Sequence, residues 1–334
     1  MSGHIAIIGA GLAGLAAARE ITKSAPDGVQ VTLFDKSRGI SGRLATRYAD
    51  PWQFDHGAQY FTARTSGFKS AIAPLIEAGE VTRWMPLSGL NAPRASCPRF
   101  VAVPKMNALG KLLAEDLDIV TQTRIVSMER LGVLWHLTDA EGTVWGQYDH
   151  VICAVPSPQA QALLPDNFED RPMLDEAVML PTFTVMLGFA GPWSGDWDVL
   201  YPQGDMLNFI AVNSSKPGRD KTVTSIVIHA ENAWTAAHVD DDKQDVMAKM
   251  IAEFETASGV DARLAKHKAV HRWLYANVGE PAGQDFLFDT AQNLYACGDW
   301  CLEGRVEAAW TSGHRAGRYI AAKYNPEIET GDES

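Results

Sequence analysis

Along the first 35 residues the apolar positions fall into three blocks. Ile5-Ala6-Ile7-Ile8 is a short unbroken apolar run, rich in β-branched side chains, which reads as a strand buried on both faces. Gly9-Ala10-Gly11-Leu12-Ala13-Gly14 follows, and an alanine-rich stretch with helical spacing continues to about Thr22. Val29 to Phe34 is a second strand, closed by Asp35. Farther on, Met106, Leu109, Leu112 and Leu113 share one face of a helix predicted over 104–116. Residues 119–147 alternate as a strand meander, and Val151 to Val155 form another buried strand. Strands are also predicted over 182–189, 207–213, 222–229 and 267–277. An amphipathic helix over 241–258 should bury Val246, Met250, Ile251 and Phe254. A final strand over 294–297 leads into a helix opening near Gly304.

The opening strand, glycine turn and helix form a dinucleotide-binding signature. Gly9 permits the turn, Gly11 lets backbone approach a pyrophosphate, and Gly14 lets helix pack on strand. Leu12 and Ala13 open the helix, whose amino end faces the anion. Asp35 lies 21 residues past Gly14, where an acid bonds both hydroxyls of an adenosine ribose. This acid disfavours a 2′-phosphate in that pocket and leaves NAD and FAD open. The fold class is α/β: a Rossmann-type dinucleotide-binding domain with an inserted mixed α+β substrate domain. The first is expected to be discontinuous, 1–65, 104–160 and 287–325; the second takes 66–103 and 161–286, and 326–334 is a flexible tail.

Composition narrows the partners. The 334 residues carry 29 Lys plus Arg against 41 Asp plus Glu, a formal charge of −12, which disfavours nucleic acid and anionic membranes. Four cysteines without paired C-x-x-C spacing build no zinc site, so no metal is expected. The first residues lack the basic start of a signal peptide, and no apolar run spans a bilayer. A cytoplasmic protein, monomeric or weakly dimeric, with a small-molecule substrate is the expectation.

Asp35-Lys36-Ser37-Arg38-Gly39-Ile40-Ser41-Gly42-Arg43 places two arginines in a glycine-punctuated loop after the second strand. This resembles the flavin-containing amine-oxidase superfamily of glutathione-reductase-like flavoproteins, whose loop here carries Gly-Gly-Arg. Ser41 stands where the first of those glycines is usual. The resemblance lays Arg43 along the FAD pyrophosphate, with Lys36, Arg38 and Gly42 nearby. Asp55-His56-Gly57-Ala58-Gln59-Tyr60-Phe61 resembles the renalase-like branch, whose matching loop, including Gly57, Ala58 and Gln59, runs along the isoalloxazine. At the far end, Gly298-Asp299-Trp300-Cys301 and Gly304-Arg305-Val306-Glu307-Ala308-Ala309 carry the likeness further. It gives Asp299 a ribitol hydroxyl, sets Trp300 near the flavin, and brings Arg305, Val306 and Ala309 to the ring with a helix amino end. Backbone near Ile125 and Val126 should touch adenine. The chain thus returns to the nucleotide domain because FAD is long.

The renalase-like branch implies non-covalent FAD and oxidation of 2-dihydro and 6-dihydro isomers of NAD(P)H. Dioxygen reoxidises the flavin, giving NAD(P)+ and hydrogen peroxide. A dihydropyridine is already a good hydride donor and needs stacking more than a strong base. The pocket residues expected are Gln59, Tyr60, His229 and Trp234, with Arg272 for substrate phosphates if it faces inward. Alternation sends His271, Trp273 and Tyr275 to one face of their strand and Arg272 to the other. The alternatives are an amine or polyamine oxidase, which often carries a water-holding lysine near the flavin, and a flavin-binding protein without turnover.

Overall fold

The computed structural model describes residues 2–89 and 97–328, so residues 329–334 of the expected tail lie outside the described residues. Its first strand, Gly3–Ile8, pairs in parallel with Val29–Phe34 on one side and His150–Cys153 on the other. Asp118–Val120 and Leu294–Ala296 extend this sheet in parallel, and Leu287–Asp289 closes its edge antiparallel. The order of the six strands therefore begins with the two latest in sequence.

Alternation within Gly3–Ile8 supplies two cores. Ile5 and Ile7 face the helices Leu12–Ser24 and Val306–Tyr324, whose own contribution includes Leu15, Ile21 and Ile320. Ala6 and Ile8 face the opposite way, toward Trp135, Leu137 and Tyr148 of a three-stranded antiparallel sheet. The two helices pack unusually closely because the later one carries glycines at the contact. A Cβ on Gly313 would lie 2.0 Å from the Ala13 carbonyl oxygen, and one on Gly317 would lie 2.5 Å from that of Ala17. First and last helices are thereby locked together, which carries the chain's end back to the nucleotide loop.

The second sheet has five antiparallel strands, in the order Val199–Leu200, Leu207–Val212, Thr224–Ala230, Val178–Phe189 and His267–Glu280. Phe183, Val185, Leu187, Ile210, Ile226 and Ile228 form its apolar outer face under the helix Lys243–Ser258. That helix buries Val246, Met250 and Phe254, while Ile251 is only partly covered. The other face carries Phe209, His229, Thr184 and His271, matched residue to residue across the ladders. It looks toward the strand Trp52–Asp55 and the loop after it, where Phe54 packs on Met186 and Val227.

Candidate active site

The glycine turn has the geometry that its sequence demands. Gly9 sits at φ +110°, a left-handed conformation, and a Cβ on Gly14 would meet the Gly9 carbonyl oxygen at 2.0 Å. Gly11 has nothing within 4 Å of where a Cβ would be, so that side of the turn is open. The helix after it begins at Gly11 with no side-chain cap, leaving first-turn N–H groups for an anion. Asp35 accepts from the backbone N–H of Ala10 at 2.9 Å and of Ser37 at 2.7 Å. These bonds fix the carboxylate beside the turn and leave lone pairs for a ribose.

Ser41, in the place of a usual glycine, does adopt φ +91°. Strain there is offset by a hydrogen bond from its hydroxyl to the Asn107 carbonyl at 3.2 Å. Gly110 makes the room, since a Cβ on it would meet the Ser41 hydroxyl oxygen at 2.2 Å. Gly42 then comes within 3.3 Å of Gly11, measured from its virtual Cβ to the Gly11 Cα. Arg43 donates two bonds to the Asp299 carboxylate, one of them at 2.8 Å, and one to the Ala276 carbonyl at 3.0 Å. A loop near the start of the chain is thus clamped to the Gly-Asp pair near its end. Gly57 lies directly on this loop: its Cβ would be 1.9 Å from the Arg43 carbonyl oxygen, which accepts from the Ala58 N–H at 2.9 Å.

Other expected cofactor contacts are arranged less centrally. Lys36 and Arg38 are exposed, and Lys36 donates to the Gln159 side chain at 3.1 Å. Val126 is exposed next to buried Ile125, at the start of the three-stranded sheet. Arg305 pairs with Glu303 and leaves its Nε buried without a partner, while Val306 and Ala309 are partly exposed on the first turn of the last helix. That helix, like the first, starts without a side-chain cap. Trp300, set near the flavin by the resemblance, turns its side chain inward. It is fully buried in the core of the first domain, its indole N–H bonded to the Val155 carbonyl at 3.0 Å.

Of the expected pocket residues, Gln59 and His229 meet: Gln59 Nε2 lies 3.1 Å from His229 Nε2. Tyr60 is adjacent, within an aromatic group that includes Trp84, Phe209 and Tyr201, and the Arg99 guanidinium lies 4.9 Å over its ring. Trp234 and Arg272 belong to the other side of the second sheet. Trp234 packs edge-on against Phe183 and stacks on His238, and Arg272, opposite Phe183 in the ladder, bonds the Val239 carbonyl. Period-two alternation sends His271 and Trp273 inward and Arg272 outward, so Arg272 cannot reach a substrate phosphate between the sheets.

Sequence reasoning missed the charged group behind Gln59. Asp55 is fully buried and accepts from Arg219 at 2.7 Å, from Lys216 at 3.3 Å and from the Met106 N–H at 3.0 Å. Burial alone would raise its pKa, but Lys216 and Arg219 outweigh that and hold it at about 2. Lys216, also fully buried, falls to about 8 because desolvation exceeds the attraction of Asp55. Its neighbours are Asn213, Gln59 and the Trp84 ring, 5.4 Å away. His56 and His271 are in edge contact, with the Trp273 indole bonded to the His56 carbonyl at 2.9 Å. Asp55 and His56 stand just before Gly57 in the quoted motif, a usable signal. Lys216-Pro217-Gly218-Arg219 reads as an exposed basic turn, and nothing in it announces that both cations fold inward.

An open glycine cradle, two uncapped helix ends and a clamp joining the two ends of the chain fit a long dinucleotide running from Asp35 past Arg43 and Asp299 to Gly57. Residues 7–71 match the NAD(P)-binding Rossmann-like domain, and residues 93–321 match the flavin containing amine oxidoreductases. Mouse (Mus musculus) renalase is 23% identical over 298 residues, covering 82% of this chain and 85% of renalase. A putative protoporphyrinogen oxidase from Exiguobacterium sp. 255-15 superposes with TM-score 0.76 at 14% identity, covering 97% of this chain and 99% of that one. Cyclohexylamine oxidase from Brevibacterium oxydans IH-35A gives 0.75 at 14%, covering 97% and 99%. With well over half of its length matched, the chain belongs to the flavin-containing amine oxidoreductases, and its cofactor is FAD.

Proposed function

We propose that the protein oxidises 2-dihydro and 6-dihydro isomers of NAD(P)H to NAD(P)+, with dioxygen as the final acceptor and hydrogen peroxide as the second product. The observation that carries this reading is the packing of three imidazoles at the junction, His56 against His271 and His229 against Gln59, where burial makes them weak bases. Burial first, then neighbouring positive charge or a neighbouring imidazole, holds His56 at about 4, His229 at about 3 and His271 at about 4. Asp55 is committed to Lys216 and Arg219. A substrate that must be deprotonated would gain little from such a site, whereas a dihydropyridine gives up hydride without a base. Similarity to renalase supports the same reading.

Bound FAD supplies the hydride-accepting ring and its reoxidation by dioxygen. The chain's own part is binding and alignment. The Gly9–Gly14 turn takes the pyrophosphate, Asp35 the ribose, and Arg43 and Asp299 lie where the two ends of the chain meet. The second sheet roofs the junction and excludes water, so that Gln59, Tyr60 and His229 can hold the nicotinamide at reacting distance. The balance is simple: the dihydropyridine loses a hydride, and that hydride with one proton reduces dioxygen to peroxide. FAD is held without a covalent bond, since the Cys301 thiol is fully buried and pushed up to about 12, with the Ala296 carbonyl within 3.9 Å of its sulfur.

An amine-oxidase reading draws on Lys216 beside Trp84 and on the aromatic group around Tyr60. Lys216, however, already spends its donors on protein acceptors. Aerobic assays of the purified flavoprotein with both dihydro isomers and a panel of primary and polyamines separate the readings. Peroxide and NAD(P)+ formed only from the dihydronicotinamides is the expected result; peroxide from amines alone would transfer the protein to the other class, and none from either would leave a flavin binder.

A further inference from the structure

Beneath the second sheet the hydrogen bonds run in a fixed direction. Lys216 meets three acceptors, Asn213 Oδ1 at 2.9 Å, Gln59 Oε1 at 3.1 Å and Asp55 Oδ2 at 3.3 Å. An ammonium has three N–H donors and no acceptor, so the match is complete only for the charged form. The atom of Gln59 turned to Lys216 must then be its oxygen. Its nitrogen faces the carbonyls of Asp55 and of Gly57, the latter at 3.1 Å, and these too require a donor. The same nitrogen, whose two N–H groups are shared among three neighbours, lies 3.1 Å from His229 Nε2; an amide nitrogen accepts no hydrogen bond, so a proton on the ring nitrogen facing it would have no acceptor there, and that nitrogen is bare. His229 is neutral at pH 7, so its single proton sits on Nδ1. That Nδ1 has no protein partner among the described residues, on the inner face of the sheet where His229 lies opposite Thr184 and Phe209.

We propose that Lys216 and Gln59 are positioning residues that hold His229 in its Nδ1–H form, so that the site takes substrates presenting a carbonyl acceptor, such as a nicotinamide carboxamide, and rejects cationic amines. This rests on the dihydronicotinamide reading for where the substrate lies. A protonated amine offers only donors to a ring that is itself a donor. It also approaches a group in which Lys216 and Arg219 face one carboxylate, Asp55, and so carry a net positive charge. A carboxamide oxygen meets both conditions favourably.

The test uses the FAD-loaded full chain labelled with 15N-histidine, the His229 signals being assigned by their loss in His229→Asn. At pH 7 the wild type shows a protonated Nδ1 and a bare Nε2. Gln59→Glu, whose carboxylate can only accept, moves the proton to Nε2; Lys216→Met, which frees the amide to turn, gives a mixture of tautomers. Binding is followed through the flavin spectrum with NAD+ and with pyridine adenine dinucleotide, which lacks the carboxamide. Wild type prefers NAD+ by about tenfold or more, the effect of one good hydrogen bond, and Gln59→Glu loses that preference. A wild-type proton on Nε2, or a preference unchanged in Gln59→Glu, overturns the proposal even if dihydronicotinamides are oxidised. The Nδ1–H form and carboxamide preference without oxidation would support it and overturn the oxidase reading alone.

Discussion

His56, His229 and His271 crowd one junction, and their depressed pKa values couple the protein's stability to pH. Each is neutral when folded down to about 3 or 4 and titrates near the usual 6.5 when unfolded. Between those values the unfolded chain binds more protons, so stability falls as pH falls. Asp55 adds a second acid limb: with a folded pKa of about 2 against 3.8, its contribution of about 2 kcal/mol is present above pH 4 and lost toward pH 2. Thermal unfolding of the FAD-loaded protein should therefore show a Tm that drops steadily from pH 6.5 to 4 and drops further below 4. A Tm that stayed level from pH 7 to 4 would contradict these assignments. Among single residues, Gln59 and His229 were legible because they sat in recognisable segments. Lys216 and Arg219 were not, because a Lys-Pro-Gly-Arg turn has the composition of a solvated loop, and only the tertiary fold decides which way it points.

The start of the last helix shows how elements are tied to one another. Glu307, buried in its first turn, accepts from the N–H groups of Arg64 and Thr65 at 2.9 and 2.7 Å and from the Thr65 hydroxyl at 2.8 Å. Thr65 is in turn the N-cap of the helix Ser66–Glu77, accepting from the Phe68 N–H at 3.3 Å. One carboxylate therefore orders the start of two helices and the loop after the Gly57–Phe61 segment. Glu307→Gln puts a donor where acceptors are needed and should cost about 1–3 kcal/mol. The expected reading is a Tm lower by several degrees with weaker FAD retention; an unchanged Tm would assign those bonds to solvent instead. Most strands of both sheets follow from apolar runs and alternation, and Val29–Phe34 keeps the predicted ends. Alternation sorts side chains into two sets without saying which set a helix covers. That gap is why Arg272, expected at the pocket, belongs to the outer face; Trp234 follows it there on the short helix Asn232–Ala237, which no alternation describes. The hairpin strands Thr46–Ala49 and Val81–Trp84 are four residues each, too short to carry a period.

On the scale of the whole molecule, the return of the chain's end to its beginning organises the site. Gly313 and Gly317 let the last helix lie on the first, and Arg43 bonds Asp299 across 256 positions of sequence. The α/β class and this return were legible, because glycine spacing and a Gly-Asp pair after a strand are local signals with one physical use. The second sheet's attitude over the junction was not, since it depends on packing between segments far apart in sequence. Hydride transfer from a 2-dihydro or 6-dihydro isomer of NAD(P)H is the step on which the proposed function depends, and anaerobic mixing of the purified yellow protein with 2-dihydro-NAD and 6-dihydro-NAD measures it directly. Rapid bleaching of the flavin band, with NAD+ formed in equal amount and colour restored by air, is the predicted result. A flavin that stays oxidised with both isomers but is bleached by an amine would contradict it.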